Sequence, residues 1–270
     1  MEAWQLLLPS FVMTVMMIIT HSYLGLHVLA RGIIFVDLAL AQIAGLGVSI
    51  AFLLGNDAHG IESKIYAFIA TLIAALAFTG LHKISSKTTR EVTIGSVYVV
   101  TTALSLVILS RSSQGMEQLK SLFNGNILWV DWQDIIVVAV AYGLLIVLHV
   151  IKRKQFYALS FNTNNDKNMS FFWDFMFFAS FAIVITLAVN IAGILMVFAL
   201  LIIPGFSATL LASSFVSRLT VAWSLAVSSC TFGLWLSFKA DLPVGATVVS
   251  VTGLLPVIAL MLNYFLKRKL

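Results

Sequence analysis

From Phe175 to Ser217 the chain runs 43 residues without an Asp, Glu, Lys, Arg or His. A helix needs only about 20 apolar residues to cross a bilayer, so this run must hold two crossings. Its one polar, glycine-containing stretch, Asn190–Gly193, marks the turn between them. The second helix then meets Pro204-Gly205. Proline has no N–H to donate and clashes with the carbonyl one turn earlier, here Leu200. In lipid a freed carbonyl is tolerated only against protein or a water-filled path, so this helix is expected to face the interior of a bundle. Membrane helices also carry prolines as simple kinks. Assigning Asn190, Gly193, Pro204 and Gly205 to a pathway or its scaffold therefore needs support from the rest of the chain.

That support starts with composition. Sixty per cent of the 270 residues are hydrophobic and 10% are charged, against about a quarter charged in soluble domains. The chain reads as an integral, multi-pass membrane protein, all-α and a single domain over 1–270. Its net charge of +5 does not imply nucleic acid, because the basic residues sit between apolar runs and act as topology determinants. One cysteine, Cys230, excludes an internal disulfide and a Cys-cluster metal site. No basic n-region precedes the first apolar run, so no cleaved signal peptide is expected.

Charge-poor runs predict nine spans, near 5–29, 33–54, 64–82, 93–110, 131–151, 171–189, 192–212, 219–238 and 244–266. Alternating the joints between two sides puts twelve Lys and Arg on one side (Arg31, Lys83, Lys87, Arg90, Lys152, Arg153, Lys154, Lys167, Arg218, Lys267, Arg268 and Lys269). The other side holds only Lys64, Arg111, Lys120 and Lys239. The positive-inside rule then predicts the N-terminus outside and the C-terminus cytoplasmic.

No Gly-Lys dipeptide occurs, so a nucleotide-binding P-loop is absent, and neither H-E-x-x-H nor G-x-S-x-G is present. The chain does not read as an enzyme. Polar groups inside the apolar runs are His21, His27, Asp37, Gln42 and Asn190, with Glu91 at the foot of the fourth span. Ionisable groups within a membrane are functional candidates by default. Asp37 lies roughly 7 Å into its helix, with Gln42 turned about 140° away from it. His21 and His27 are about 240° apart and do not share a face. Each histidine is compatible with an interhelical hydrogen bond or with a place in a pathway. Imidazole and carboxylate suit zinc, manganese or ferrous iron, and sparse ligands suit passage rather than storage. Composition alone equally fits proton relay or a small organic solute, carried by a stand-alone secondary transporter or channel.

Gly193-Ile194-Leu195-Met196-Val197-Phe198-Ala199-Leu200-Leu201-Ile202-Ile203-Pro204 resembles the G-x-L-x-x-x-A-L-L-x-x-P signature of the zinc/manganese/iron ABC importer permeases. Further pieces are similar to that family in the same order: Leu24-Gly25 with Val28 and Arg31; Glu91-x-x-Ile94-Gly95; Leu122–Leu128; and Asp241-Leu242-Pro243-x-Gly245-Ala246. The resemblance implies a permease subunit of eight or nine helices in the cytoplasmic (inner) membrane. It also implies a second permease copy, an ATP-binding-cassette ATPase on the cytoplasmic face and an extracytoplasmic metal-binding protein. No cofactor is expected on this chain, the divalent metal being cargo that Asp37, Gln42, His27, His21 and Glu91 would contact. Two departures stand out. Gln42 occupies the place of a family histidine, with Asp37 one position out of step, which weakens a zinc assignment. The family's acidic-x-x-A-x-x-x-G coupling segment has no match after the fifth span, leaving Phe156–Phe161 for that role.

Overall fold

The computed structural model describes residues 3–58, 60–84, 86–112, 114–161 and 171–267. Long apolar runs with every polar backbone group satisfied internally can only be helices in lipid, and the described residues form eleven α-helices. They are α1 (Ala3–Arg31), α2 (Val36–Leu53), α3 (Ile61–Ile84), α4 (Lys87–Leu109), α5 (Gly115–Asn124), α6 (Trp132–Ile151), α7 (Arg153–Phe161), α8 (Phe171–Leu211), α9 (Phe215–Ala240), α10 (Val244–Thr252) and α11 (Leu255–Lys267). A short 3₁₀ turn, Ile127–Trp129, precedes α6. Side-chain caps fix several starts: Ser86 accepts from the Thr89 N–H, Asp131 from that of Asp134, and Ser214 from that of Ser217.

Eight helices are long and apolar enough to span a membrane, with α10 and α11 together supplying the last. α8 spans 41 residues, about 60 Å if straight, or twice a hydrocarbon core of roughly 30 Å. It is not straight. Gly193 breaks it at φ 76°, ψ 162°, a conformation that glycine adopts without steric penalty. A Cβ there would overlap the backbone of Asn124 and Gly125, and the Asn126 N–H donates to Ile191 O across the joint at 2.9 Å.

The neighbours of each limb show that the chain doubles back. Asp174, in the first turn, pairs with Arg31 at the end of α1. Asn190 lies beside Lys64 and Asp134, at the starts of α3 and α6. Gly205 has returned to Leu26 and Leu29 of α1. α8 therefore folds back on itself with the break at the expected place, so that one of the eight candidate spans holds both the sixth and the seventh of the predicted runs. The same alternation gathers Arg31, Lys87, Arg90, Lys152, Arg153, Lys154, Arg218 and Lys267 at one end of the bundle, the basic end. Lys64, Arg111, Lys120 and Lys239 lie at the far end. Lys167, Arg268 and Lys269, and most of the polar loop predicted after the fifth span, fall outside the described residues.

Two short helices add to the predicted pattern: α5 at the far end and α7 at the basic end. The centre of the bundle is α2 and both limbs of α8, with Leu40, Ala41, Phe181, Ala188, Val197 and Leu200 fully buried. α1 touches the second limb so closely at Gly25 that a Cβ would strike the Leu201 carbonyl. Small residues at helix contacts of this kind drive packing where lipid removes any hydrophobic incentive.

Candidate functional site

The polar groups of the inner helices fall into isolated residues and a connected network. Mid-bundle, His21 of α1 is fully buried, with Nδ1 bonded to the Met17 carbonyl at 2.9 Å and Nε2 without a hydrogen-bond partner. Its ring faces Tyr142 of α6, whose hydroxyl donates to Val184 O at 3.0 Å. On α2, Asp37 is fully buried in the first turn and neither carboxylate oxygen accepts a hydrogen bond. Exposed N–H groups at a helix start favour negative charge, which offsets part of the cost of burying it. The Gln42 amide nitrogen, one and a half turns on, is likewise buried without a partner. Glu91 of α4, at the basic end, accepts from the Ile34 N–H at 3.3 Å. Among the described residues of one protomer, no three His, Cys, Asp or Glu side chains come close enough to hold a metal ion. The residues singled out in the sequence are thus placed separately rather than drawn into one cluster.

The network lies at the basic end. Arg31 and Asp174 form an ion pair with side chains 2% and 3% exposed, and the guanidinium lies over Phe177 and Phe178. His27 Nδ1 shares a hydrogen bond with Ser160 Oγ of α7 at 2.7 Å. His149 of α6 is held by Tyr23 Oη at 3.2 Å and Ser180 Oγ at 3.0 Å, and Phe156 of α7 stacks on its ring with centroids 3.8 Å apart. Asp174, His149, Tyr23 and Ser160 were not singled out in the sequence. The only available signal was that Arg31 and Asp174 each close an apolar run at the same end of the bundle.

The predicted pathway residues are also split. Asn190, whose Nδ2 donates to Thr186 O at 2.8 Å, lines a cavity of about 640 Å³ between α3, α6 and α8. Lys64 and Asp134 stand across that cavity, 3.7 Å apart. Gly193 forms the α8 joint, Pro204 and Gly205 are buried, and Gly205 lies against Leu26 and Leu29 of α1. At the far end a second cavity of about 480 Å³ is bordered by α5, the 3₁₀ turn and the α9–α10 joint, with Glu117, Lys120 and Asn126 among its walls.

Helices long and apolar enough for eight candidate spans, with buried ionisable groups on the inner helices, define a polytopic membrane protein. The chain belongs to the ABC 3 transport family, whose profile spans residues 3–263. It is 28% identical over 221 residues to the chelated iron transport system membrane protein YfeD of Yersinia pestis, covering 81% of this chain and 72% of that protein. It is 26% identical over 243 residues to the manganese transport system membrane protein MntB of Synechocystis, covering 89% and 77%. Its fold is similar to that of PsaBC from Streptococcus pneumoniae, solved in complex with Fab, with a TM-score of 0.77, 20% identity, and coverage of 100% of this chain and 97% of that one.

Proposed function

We propose that the chain is the membrane-spanning subunit of an ATP-driven, binding-protein-dependent importer of a divalent metal ion, manganese, iron or zinc, working by alternating access in the cytoplasmic membrane. The observation that carries the reading is family membership over almost the whole chain, joined to relatives whose names specify iron and manganese transport. The basic end is then cytoplasmic by the positive-inside rule, and α7 is the surface offered to the ATPase. The far end, where Met116, Trp129 and Leu242 are 68%, 74% and 45% exposed, receives the metal-loaded binding protein. A second copy packs against the exposed apolar flank of the bundle, and lipid covers the remainder.

The cation enters through the polar cavity at Asn190 and is passed on by isolated ligands, among them Asp37. Its two buried oxygens have no hydrogen-bond partner and are free to take a cation as ligand. A set this sparse holds an ion weakly enough to release it. The test is co-expression with candidate ATPase and binding-protein subunits. The reading predicts that the ATPase co-purifies with this chain in detergent and that all three are needed for metal uptake. Uptake by this chain alone would contradict it.

A further inference from the structure

α7 presents two faces. Arg153, Lys154 and Tyr157 point outward, whereas Phe156 is fully buried and Ser160, one turn on, is partly buried. Residues four apart share a helix face, so Phe156 and Ser160 grip the bundle together. Phe156 lies flat on His149, with an interplanar angle of 1°, and His149 is bonded to α1 through Tyr23 and to α8 through Ser180. Ser160 reaches α1 directly through His27.

The surroundings of His27 make that bond consequential. Tyr23, Phe161, Phe177 and Phe215 pack around the imidazole at centroid distances of 4.7, 5.5, 6.1 and 5.5 Å. Its only hydrogen-bond partner among the described residues is Ser160. Sliding α7 away from α1 would strand the imidazole Nδ1 in an aromatic cage with nothing to bond, and an unmet buried polar group is costly. The bond therefore ties α7 to α1. Gly25, two residues from His27, is turned about 200° around the helix and touches Leu201 of the second α8 limb, three residues before Pro204. α1 is thus held between the surface helix on one side and the kinked crossing on the other.

We infer that His27 and Ser160 are positioning residues for energy coupling: their hydrogen bond makes a displacement of α7 a displacement of α1 and hence of the Pro204 limb. The inference rests on the proposed reading that α7 faces the ATPase. The experiment uses the assembled importer in proteoliposomes, with manganese as probe, and reads manganese ions transported per ATP hydrolysed.

Ser160→Ala should keep the co-purified ATPase and its hydrolysis stimulated by loaded binding protein, and is compared with His27→Ala in the transport ratio. Each should lower the transport ratio by a factor on the order of five or more, the lower bound of ordinary coupling energies. The double variant should be no worse than either single, and His27→Asn, which can still bond Ser160, should recover part of the ratio. An unchanged ratio in Ser160→Ala, whatever His27→Ala does, overturns the inference, because it makes any His27 effect one on the cation and not on α7. Additive losses in the double variant overturn it as well. Tyr157→Cys, exposed on α7, is a separate check. Its failure to cross-link to the ATPase would remove the reading beneath the inference, whereas cross-linking with an intact ratio in Ser160→Ala would leave the reading standing and remove the inference alone.

Discussion

The Arg31–Asp174 pair should be the most costly single contact to break at the basic end. Both side chains are almost wholly buried, and Arg31 Nε and Nη1 have no hydrogen-bond partner among the described residues, so Asp174 is the main counter-charge to the guanidinium. Removing one member of a buried pair costs about 3–5 kcal/mol, because a desolvated charge is left behind. Loss of the contacts with Phe177 and Phe178 falls within that figure. Arg31→Met, which keeps the length and apolar stem, should therefore lower the melting temperature in detergent on the order of 10 °C, taking roughly 2–4 °C per kcal/mol for a chain of this size. Removing both charges at once is often neutral when the space is refilled, so Arg31→Met with Asp174→Leu should regain most of the loss. The assay is a thermal-unfolding cycle of the four proteins followed by tryptophan fluorescence. A shift of under about 2 °C for Arg31→Met, or a double variant as unstable as the two singles added together, would refute the pairing argument.

Other sites give shorter tests. Gly25→Ala should destabilise by about 1–3 kcal/mol because its Cβ meets the Leu201 carbonyl; Gly143→Ala, with open space around it, should be neutral or stabilising by up to about 1 kcal/mol. Asp37→Asn, which keeps the shape and leaves a buried polar group in place, should leave the protein folded while abolishing metal uptake; retained uptake would strike Asp37 from the pathway. With Cys230 buried, an impermeant thiol reagent should label Glu117→Cys in intact cells and Tyr157→Cys only after permeabilisation. Labelling of both from one side would overturn the topology.

The crossings were legible in the sequence because a membrane span is a one-dimensional property: enough apolar residues in a row, bounded by charge. The α8 joint was legible for the same reason, as 43 uncharged residues are too many for one passage and only Asn190–Gly193 could turn. α5 and α7 were harder, since a short amphipathic helix lying at a bundle end leaves no hydropathy trough or peak. α7 surfaced only as a segment to which the coupling role was left over. The polar contacts were least legible. Ser160 is 133 residues from His27 and Asp174 is 143 from Arg31, and no periodicity within either helix encodes which distant helix will face it. His27 could be recognised as a buried polar group, but only the packing shows that its Nδ1 is bonded to a surface helix.

The central claim is that this bundle moves a metal cation using work done on ATP by a partner. It is tested most directly by manganese uptake into proteoliposomes holding the chain with its ATPase, with loaded binding protein added at the far-end face and ATP at the basic-end face. The account predicts uptake that requires ATP and binding protein together and is indifferent to collapse of proton and sodium gradients. Uptake that persists without ATP and vanishes with the gradient would contradict it.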